Sequence, residues 1–316
     1  MNTYGKTFRL SVFGESHGHA IGVVIDGLPA GFAPDMDKIG LEMARRAPGT
    51  SAVSTGRSEA DAVEIVSGLF EGKTTGSPLC GIIRNTDTKA EDYKDTLPRP
   101  GHADYTAHIK YGGFSDFRGG GHFSGRLTAV LVFAGALARQ LLPGIKIMAK
   151  PLLIGGKPPA DETILNAKAD GDSVGGVISC VVEGLPAGLG EPFFASVESC
   201  LSSLLFSIPA VKAVEFDEGF ALAQMRGSQS NKTTFGILGG ITTGHALKFS
   251  VAVKPTPSIS IEQDTIDPVT NKPAKITVSG RHDPCIVPRA VVVVEAAAAI
   301  GLLDLWLSAG FALVHT

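Results

Sequence analysis

The chain has 316 residues, of which 44% are hydrophobic and 19% charged, a composition that excludes a disordered segment and allows one large domain or two ordinary ones. A net charge of -3 argues against a long polyanion as partner, because nucleic-acid binders carry a basic excess. Four cysteines, none in a C-x-x-C pair, read as reduced thiols rather than as a disulfide framework or a zinc site.

In chain order, Met1 to Lys6 hold no apolar run, so no secretory signal is expected. A glycine-flanked polar turn, Gly14-Glu15-Ser16-His17-Gly18, leads into a strand-like run, Ile21 to Ile25, and a Gly-Leu-Pro-Ala-Gly turn. Asp37 to Ala44 reads as a helix that Ala47-Pro48-Gly49 ends. Ala62-Val63-Glu64 starts one strand-like segment and Thr74-Thr75-Gly76 precedes another.

The same order returns later. Gly171 to Gly188 repeats Gly14 to Gly31 without a gap, with ten of 18 positions identical. Its apolar run is Ile178 to Val182, and Ser196 to Leu205 reads as the helix after it. Ala213-Val214-Glu215 and Thr242-Thr243-Gly244 echo the two later signals. The expected architecture is α+β: two similar halves, roughly 1–150 and 151–316, in a single domain, with mainly antiparallel sheet. His17 faces Val174 in this alignment, which hints at a site present in one copy. The apolar stretch Ala290 to Leu303 carries Glu295 and ends at Asp304. It is too short and too charged to span a membrane and reads as a buried helix.

Three familiar motifs fail. Ser67 stands where the P-loop pattern around Gly72-Lys73-Thr74 needs glycine. Ser124 breaks G-x-G-x-x-G after Gly119-Gly120-Gly121, against a Rossmann site. His17-x-His19 has no companion ligands at a metal spacing, so no metal is expected.

Four clusters hold the candidate chemistry. They are Gly14–Gly18; Arg45-Arg46 with Arg57; Arg99 to Tyr105 with the glycine loop Asp116 to Arg126; and Gly280-Arg281-His282-Asp283-Pro284-Cys285. Arginine forks suit phosphate and carboxylate, histidine titrates near neutrality, and glycines let backbone N–H groups face an anion. The pattern points to an enzyme acting on a small, multiply anionic substrate. An RNA-binding reading of Arg118-Gly-Gly-Gly would need repeats, and this is a single copy.

At these clusters the chain resembles the chorismate synthase family. It carries Gly-Glu-Ser-His-Gly at 14–18, Pro-Gly-His-Ala-Asp-Tyr-Thr with Lys-Tyr-Gly and Arg-Gly-Gly-Gly at 100–121, and Gly-Arg-His-Asp-Pro-Cys with Arg-Ala at 280–290. Ser207 to Lys212 and Lys254 to Ile259 match as well. The resemblance implies a β-α-β sandwich, helices between antiparallel sheets, assembled as a cytoplasmic homotetramer. It implies removal of phosphate and the C6 proton from 5-enolpyruvylshikimate 3-phosphate, giving chorismate, with reduced FMN required and no net redox change. NADPH, or an external flavin reductase, would supply the reduced flavin. No nucleic acid and no membrane are implied as partners.

By the same resemblance, His17 protonates the departing phosphate beside Ser16, His102 stabilises the reduced flavin ring, and Asp283 works with the flavin as base for the C6 proton. Arg46, Arg57, Arg118 and Arg126 hold the substrate's anionic groups. Flavin contacts fall on His122, Phe123, Ser124, Pro209, Ala210, Gly239, Lys254, Pro255, Thr256, Pro257, Ser258 and Arg281. The chain departs from the family at His122-Phe123-Ser124, where many members read Arg-Ser-Ser, and His122 is expected to stand in for the arginine. Ala52 replaces a commonly basic residue, which weakens the case for NADPH. The stretches after Pro159 and at 227–232 look short. The alternative is a relative that binds FMN or phosphate without the activity.

Overall fold

The computed structural model describes residues 2–47, 61–86, 97–278, 282–311 and 313. The first half contains β1 (Thr3–Tyr4), β2 (Arg9–Gly14), β3 (Ala20–Asp26), α1 (Met36–Arg46), β4 (Val63–Ser67), the hairpin β5 (Leu69–Phe70) and β6 (Lys73–Thr74), β7 (Leu79–Arg84), α2 (Asp104–Lys110) and α3 (Thr128–Leu141). The second contains β8 (Lys146–Ile154), α4 (Asp161–Ala169), β9 (Gly176–Glu183), α5 (Val197–Ser207), β10 (Val211–Phe216) and α6 (Gly227–Ser230). It continues with the hairpin β11 (Ile237–Leu238) and β12 (Ile241–Thr242), then β13 (Leu247–Val253), β14 (Gln263–Ile266), β15 (Pro273–Ile276) and α7 (Val287–Ser308).

The internal repeat is a repeat of topology. One sheet runs β1-β2-β3-β7-β4 and the other, read from β8, runs β8-β9-β13-β10. The four-strand units β2-β3-β7-β4 and β8-β9-β13-β10 therefore share one order, and every pairing is antiparallel. Strand periodicity explains which face is apolar. Ile21, Val23 and Ile25 on β3 are fully buried, and so are the repeat-equivalent Ile178, Cys180 and Val182 on β9. Each such side chain contributes roughly 1.5–3 kcal/mol when removed from water.

Helices fill the space between the sheets. α3 packs on β3 and β7, α7 packs on β8 and β9, and α3 and α7 pack on each other. α1 starts where the Asp35 carboxylate accepts from Lys38 N at 3.1 Å, an N-cap. It buries Ile39 and Met43. α5 starts in the same way, Ser196 Oγ accepting from Ser199 N at 3.0 Å. α7 is apolar but for Arg289, Glu295, Asp304 and Ser308 and is buried from Ala290 to Trp306, as expected for a helix enclosed by protein. Glu295, buried within α7, accepts from Ala149 N at 2.8 Å, Arg45 at 2.6 Å and Arg139 at 3.2 Å. The sheet–helix–sheet order is the one the resemblance implied.

Candidate active site

Loops from both halves meet around a cavity of about 790 Å³, toward the upper end of the roughly 300–1,000 Å³ typical of small-molecule sites. Arg46, Arg99, Arg126, Lys212, Lys254 and Arg289 line it, and Asp283 is the one carboxylate in the lining among the described residues. A molecule of net charge -3 thus concentrates six cations, among the described residues, on one concave surface, which focuses the field on an anionic ligand.

The two histidines rest on consecutive glycines. Gly119, Gly120 and Gly121 all have positive φ, a conformation that costs glycine little. A Cβ on Gly119 would lie 2.2 Å from His17 Cε1, and one on Gly120 would lie 3.0 Å from His102 Cε1. Glycine at 119 and 120 is what lets the loop back both imidazoles. Ser16 sits beside His17, and both are buried at the cavity wall. Ser16 N donates to Gly121 O at 3.0 Å, which ties the two loops together.

His102 is held by a carboxylate. Its Nδ1 lies 2.6 Å from Asp104 Oδ1. Asp104 also accepts from Arg99 Nε at 2.7 Å and Arg99 N at 3.1 Å. Burial opposes the charge on Asp104, but the bonds from Arg99 and His102 outweigh it and hold the carboxyl far below its usual range. An ionised acceptor at Nδ1 puts the proton on that nitrogen and leaves Nε2 beside Gly120. Arg99 Nη1 donates to Ser258 Oγ at 3.0 Å, joining this loop to the segment 254–258.

Arg46 and Arg126 converge from α1 and from the 3₁₀ turn Gly125–Leu127 onto one carboxylate, Asp61. Arg46 further donates to Gly125 O and Thr128 Oγ1, both at 3.2 Å. Burial lowers Arg46 to about 10, with the neighbouring Arg289 and Arg126 adding to the effect and Asp61 opposing it. Burial pushes Asp61 up, and the two guanidiniums outweigh it and hold the group below its usual value. Asp283 pairs with Arg289, whose Nε donates to Arg46 O at 3.0 Å.

The segments at 207–212 and 254–258 form another wall. Ala210 adopts φ +75°, a strained conformation for a residue with a side chain, worth roughly 1–3 kcal/mol. Its carbonyl accepts from Lys254 N at 2.9 Å. Burial and the neighbouring Lys212 charge lower the Lys254 ammonium. The second repeat turn buttresses this wall, with Ser173 Oγ donating to Thr256 O at 2.6 Å and Val174 N donating to Pro284 O at 2.9 Å. The turn that carries Ser16 and His17 in one copy is a scaffold in the other. An apolar face, with Leu10, Val12, Leu131, Leu204 and Val293, completes the cavity. A ring system with an anionic tail fits a site built of one apolar face, mobile-proton groups and lysines.

Of the residues singled out in the sequence, Ser16, His17, Arg46, His102, His122, Phe123, Ser124, Arg126, Pro209, Ala210, Lys254, Thr256, Pro257, Ser258 and Asp283 line this cavity. Arg118, Gly239 and Pro255 are not in its lining. Arg118 is paired outside it with Asp116, at 2.7 and 2.9 Å, because the three positive-φ glycines reverse the chain between Arg118 and His122. Gly239 sits in the exposed turn of the β11–β12 hairpin. Arg57, Arg281 and Ala52 lie outside the described residues. His122 Nδ1 donates to Gly14 O at 2.8 Å, so one edge of this imidazole is spent on the loop that carries His17. Asp61, Asn85, Asp104 and Arg289 are functional positions that the sequence motifs do not single out. Asp104 and Arg289 lay within quoted motifs, whereas Asp61 and Asn85 had no motif signal.

A cation-lined cavity holding two backed histidines and a carboxylate on an α+β sandwich defines an enzyme of small anionic substrates. The family profile described as chorismate synthase matches residues 8–307. A chorismate synthase of Chitinophaga pinensis is 47% identical, with 97% of each chain covered. One of Korarchaeum cryptofilum is 42% identical, with 95% of this chain and 96% of the other covered. A crystal structure of a chorismate synthase superposes with a TM-score of 0.73 at 27% identity, covering 97% of this chain and 93% of the other. The chain belongs to the chorismate synthase family.

Proposed function

We propose that the protein catalyses the chorismate synthase reaction, the anti-1,4 elimination of phosphate and a C6 proton from 5-enolpyruvylshikimate 3-phosphate. The observation that carries this reading is the convergence of Ser16, His17, His102 and Asp283 on one cavity with six cationic side chains. The substrate brings a phosphate and two carboxylates, and its charge matches that lining.

In this reading the C3–O bond breaks with its electron pair leaving on phosphate, the C6–H bond breaks, and a conjugated diene forms. Phosphate is a modest leaving group at carbon, so charge stabilisation and proton donation are the largest contributions the protein makes. His17, with Ser16 beside it, donates a proton to the departing phosphate. Arg46 and Arg126, with Arg57, hold the anionic groups, and Asp283 takes the C6 proton. Arg118, turned toward Asp116, contributes to the same field from outside the lining. Reduced FMN, when bound, supplies electron density as the C–O bond breaks. It would be held by His102, by His122 to Ser124, by Pro209 and Ala210, and by Lys254 to Ser258, with Gly239 and Arg281 as further contacts. Reduced flavin would come from NADPH or from a separate reductase. The enzyme would work in the cytoplasm as a homotetramer.

The test is anaerobic mixing of the protein with 5-enolpyruvylshikimate 3-phosphate and dithionite-reduced FMN, following chorismate absorbance and phosphate release. Equal amounts of both products, formed only with reduced FMN, are expected. Flavin binding without either product would overturn the reading in favour of a non-catalytic flavin-binding relative. His17→Ala is expected to lower kcat by about 10²–10⁴-fold, the usual range for a lost general acid.

A further inference from the structure

Beneath the cavity, Asp61 is fully buried, and the Arg46 and Arg126 side chains bound to it are each 4% exposed. Asp61 itself has φ +49°, strained for a non-glycine residue, two residues before β4 begins. Three desolvated charges cost several kcal/mol each before pairing, and apolar side chains of similar volume would hold the same loops as well. What the charged trio adds is a fixed direction for two guanidiniums at the cavity wall.

The contacts continue in both directions. Arg126 Nε donates to Asn85 Oδ1 at 3.2 Å. Asn85 Nδ2 donates to Glu15 O at 3.0 Å and to Gly18 O at 2.9 Å, the two ends of the turn that carries Ser16 and His17. On the other side, the Arg46 carbonyl receives Arg289, the partner of Asp283.

We infer that Asp61 is a positioning residue for the reaction. It orients Arg126, and through Asn85 it orients the Ser16–His17 turn, so that the proton donor and the cationic wall hold one mutual geometry. The inference rests on the proposed activity for its kinetic consequences and on contacts alone for its structural ones. Misplacing a reacting group by about 1 Å costs on the order of 10²-fold in rate. Removal of the Asp61 charge leaves both arginines in place with more net positive charge, so anion binding is retained while orientation is lost.

The experiment compares wild type, Asp61→Asn, Asn85→Ala and the double variant in the anaerobic assay. Asp61→Asn is expected to lower kcat by about 10²-fold while KM for the phosphorylated substrate stays within about threefold. Asn85→Ala, which leaves the buried ion trio intact, is expected to show the same kcat-weighted loss. The double variant is expected to lose no more than the worse single one, because both act through one chain of contacts. Unchanged kcat per folded molecule with a lowered Tm would make Asp61 purely structural and overturn the inference. So would a loss confined to KM, or losses that multiply in the double variant. If Asp61→Asn fails to fold, Asn85→Ala decides: an unchanged kcat overturns the inference. A second readout needs no turnover. The imidazole NMR signal of His17, identified with His17→Ala, is expected to move in both single variants while that of the exposed His245 stays. If wild type forms no chorismate, the proposed activity falls, and the His17 signal alone decides the relay: an unmoved signal overturns it.

Discussion

A methyl group at position 119 would lie 2.2 Å from His17 Cε1 and 2.3 Å from His17 Nδ1, at a backbone φ of +59°. Gly119→Ala is therefore expected to displace the imidazole and to lower kcat by about 10²-fold, with the circular dichroism of the folded protein retained. Asp104→Asn replaces the ionised acceptor of His102 with a neutral amide, and a kcat loss of similar size is expected from the same assay. It also has a pH signature. Burial opposes the charge on Asp104, and the bonds from Arg99 and His102 outweigh it and depress the folded-state value. Its stabilisation is thus fully present above the unfolded carboxylate pKa of about 3.9 and is lost as pH falls toward the folded value. Wild type is expected to melt above Asp104→Asn at pH 7, with the gap closing below about pH 4. A gap that is constant down to pH 3 would contradict this account.

At the scale of elements, the crossing of α3 and α7 depends on Gly135, where a Cβ would lie 2.4 Å from Ala296 Cβ. Gly135→Val forces two core helices apart, and an overpacking cost of about 1–3 kcal/mol or more is expected in urea unfolding. Gly40 is exposed in α1, and a Cβ there would meet nothing within 4 Å. Gly40→Ala should stabilise by roughly 0.5–1 kcal/mol, the difference in helix propensity, with activity unchanged. Glu295 is a different kind of element-scale contact, a buried carboxylate on a largely apolar helix that pins α1, α3 and β8 through Arg45, Arg139 and Ala149. Arg45 and Arg139 keep Glu42 as a partner, so Glu295→Gln is expected to cost about 1–3 kcal/mol in urea unfolding, the range for weakened buried hydrogen bonds.

Over the whole molecule, the cavity is walled by both repeats, so a ligand bound there braces the halves against each other. Reduced FMN with substrate present at 100 times its Kd is expected to add about 2.7 kcal/mol to the unfolding free energy, read as a rise in Tm. No rise would mean that they do not bind the folded protein preferentially. The legible part of this architecture was the repeat. Ten identities in 18 positions, with the next strand signals in the same order, marked β3 and β9 as equivalents, and the two sheets do share one strand order. The helices at 36–46 and 197–207 were readable to within two residues, the first with its end marked by Ala47-Pro48-Gly49. The layer order was not in the repeat and came from the family resemblance.

The sequence by itself determined the alternation that buries Ile21, Val23 and Ile25 in register with Ile178, Cys180 and Val182. It also determined the glycines that let the loop 118–124 pass behind two histidines. Both follow from local rules: strand period is two, and left-handed backbone selects glycine. Only the tertiary structure decided that Arg118 faces Asp116 outside the cavity while Arg126 faces inward, although both are arginines on one loop. Only the tertiary structure brought Asp61 between Arg46 and Arg126, and Asn85 under the His17 turn. Those contacts join residues up to 70 positions apart. Ion pairs and side-chain hydrogen bonds carry no period along the chain, so their partners are chosen by which loops the packed sheets and helices bring together.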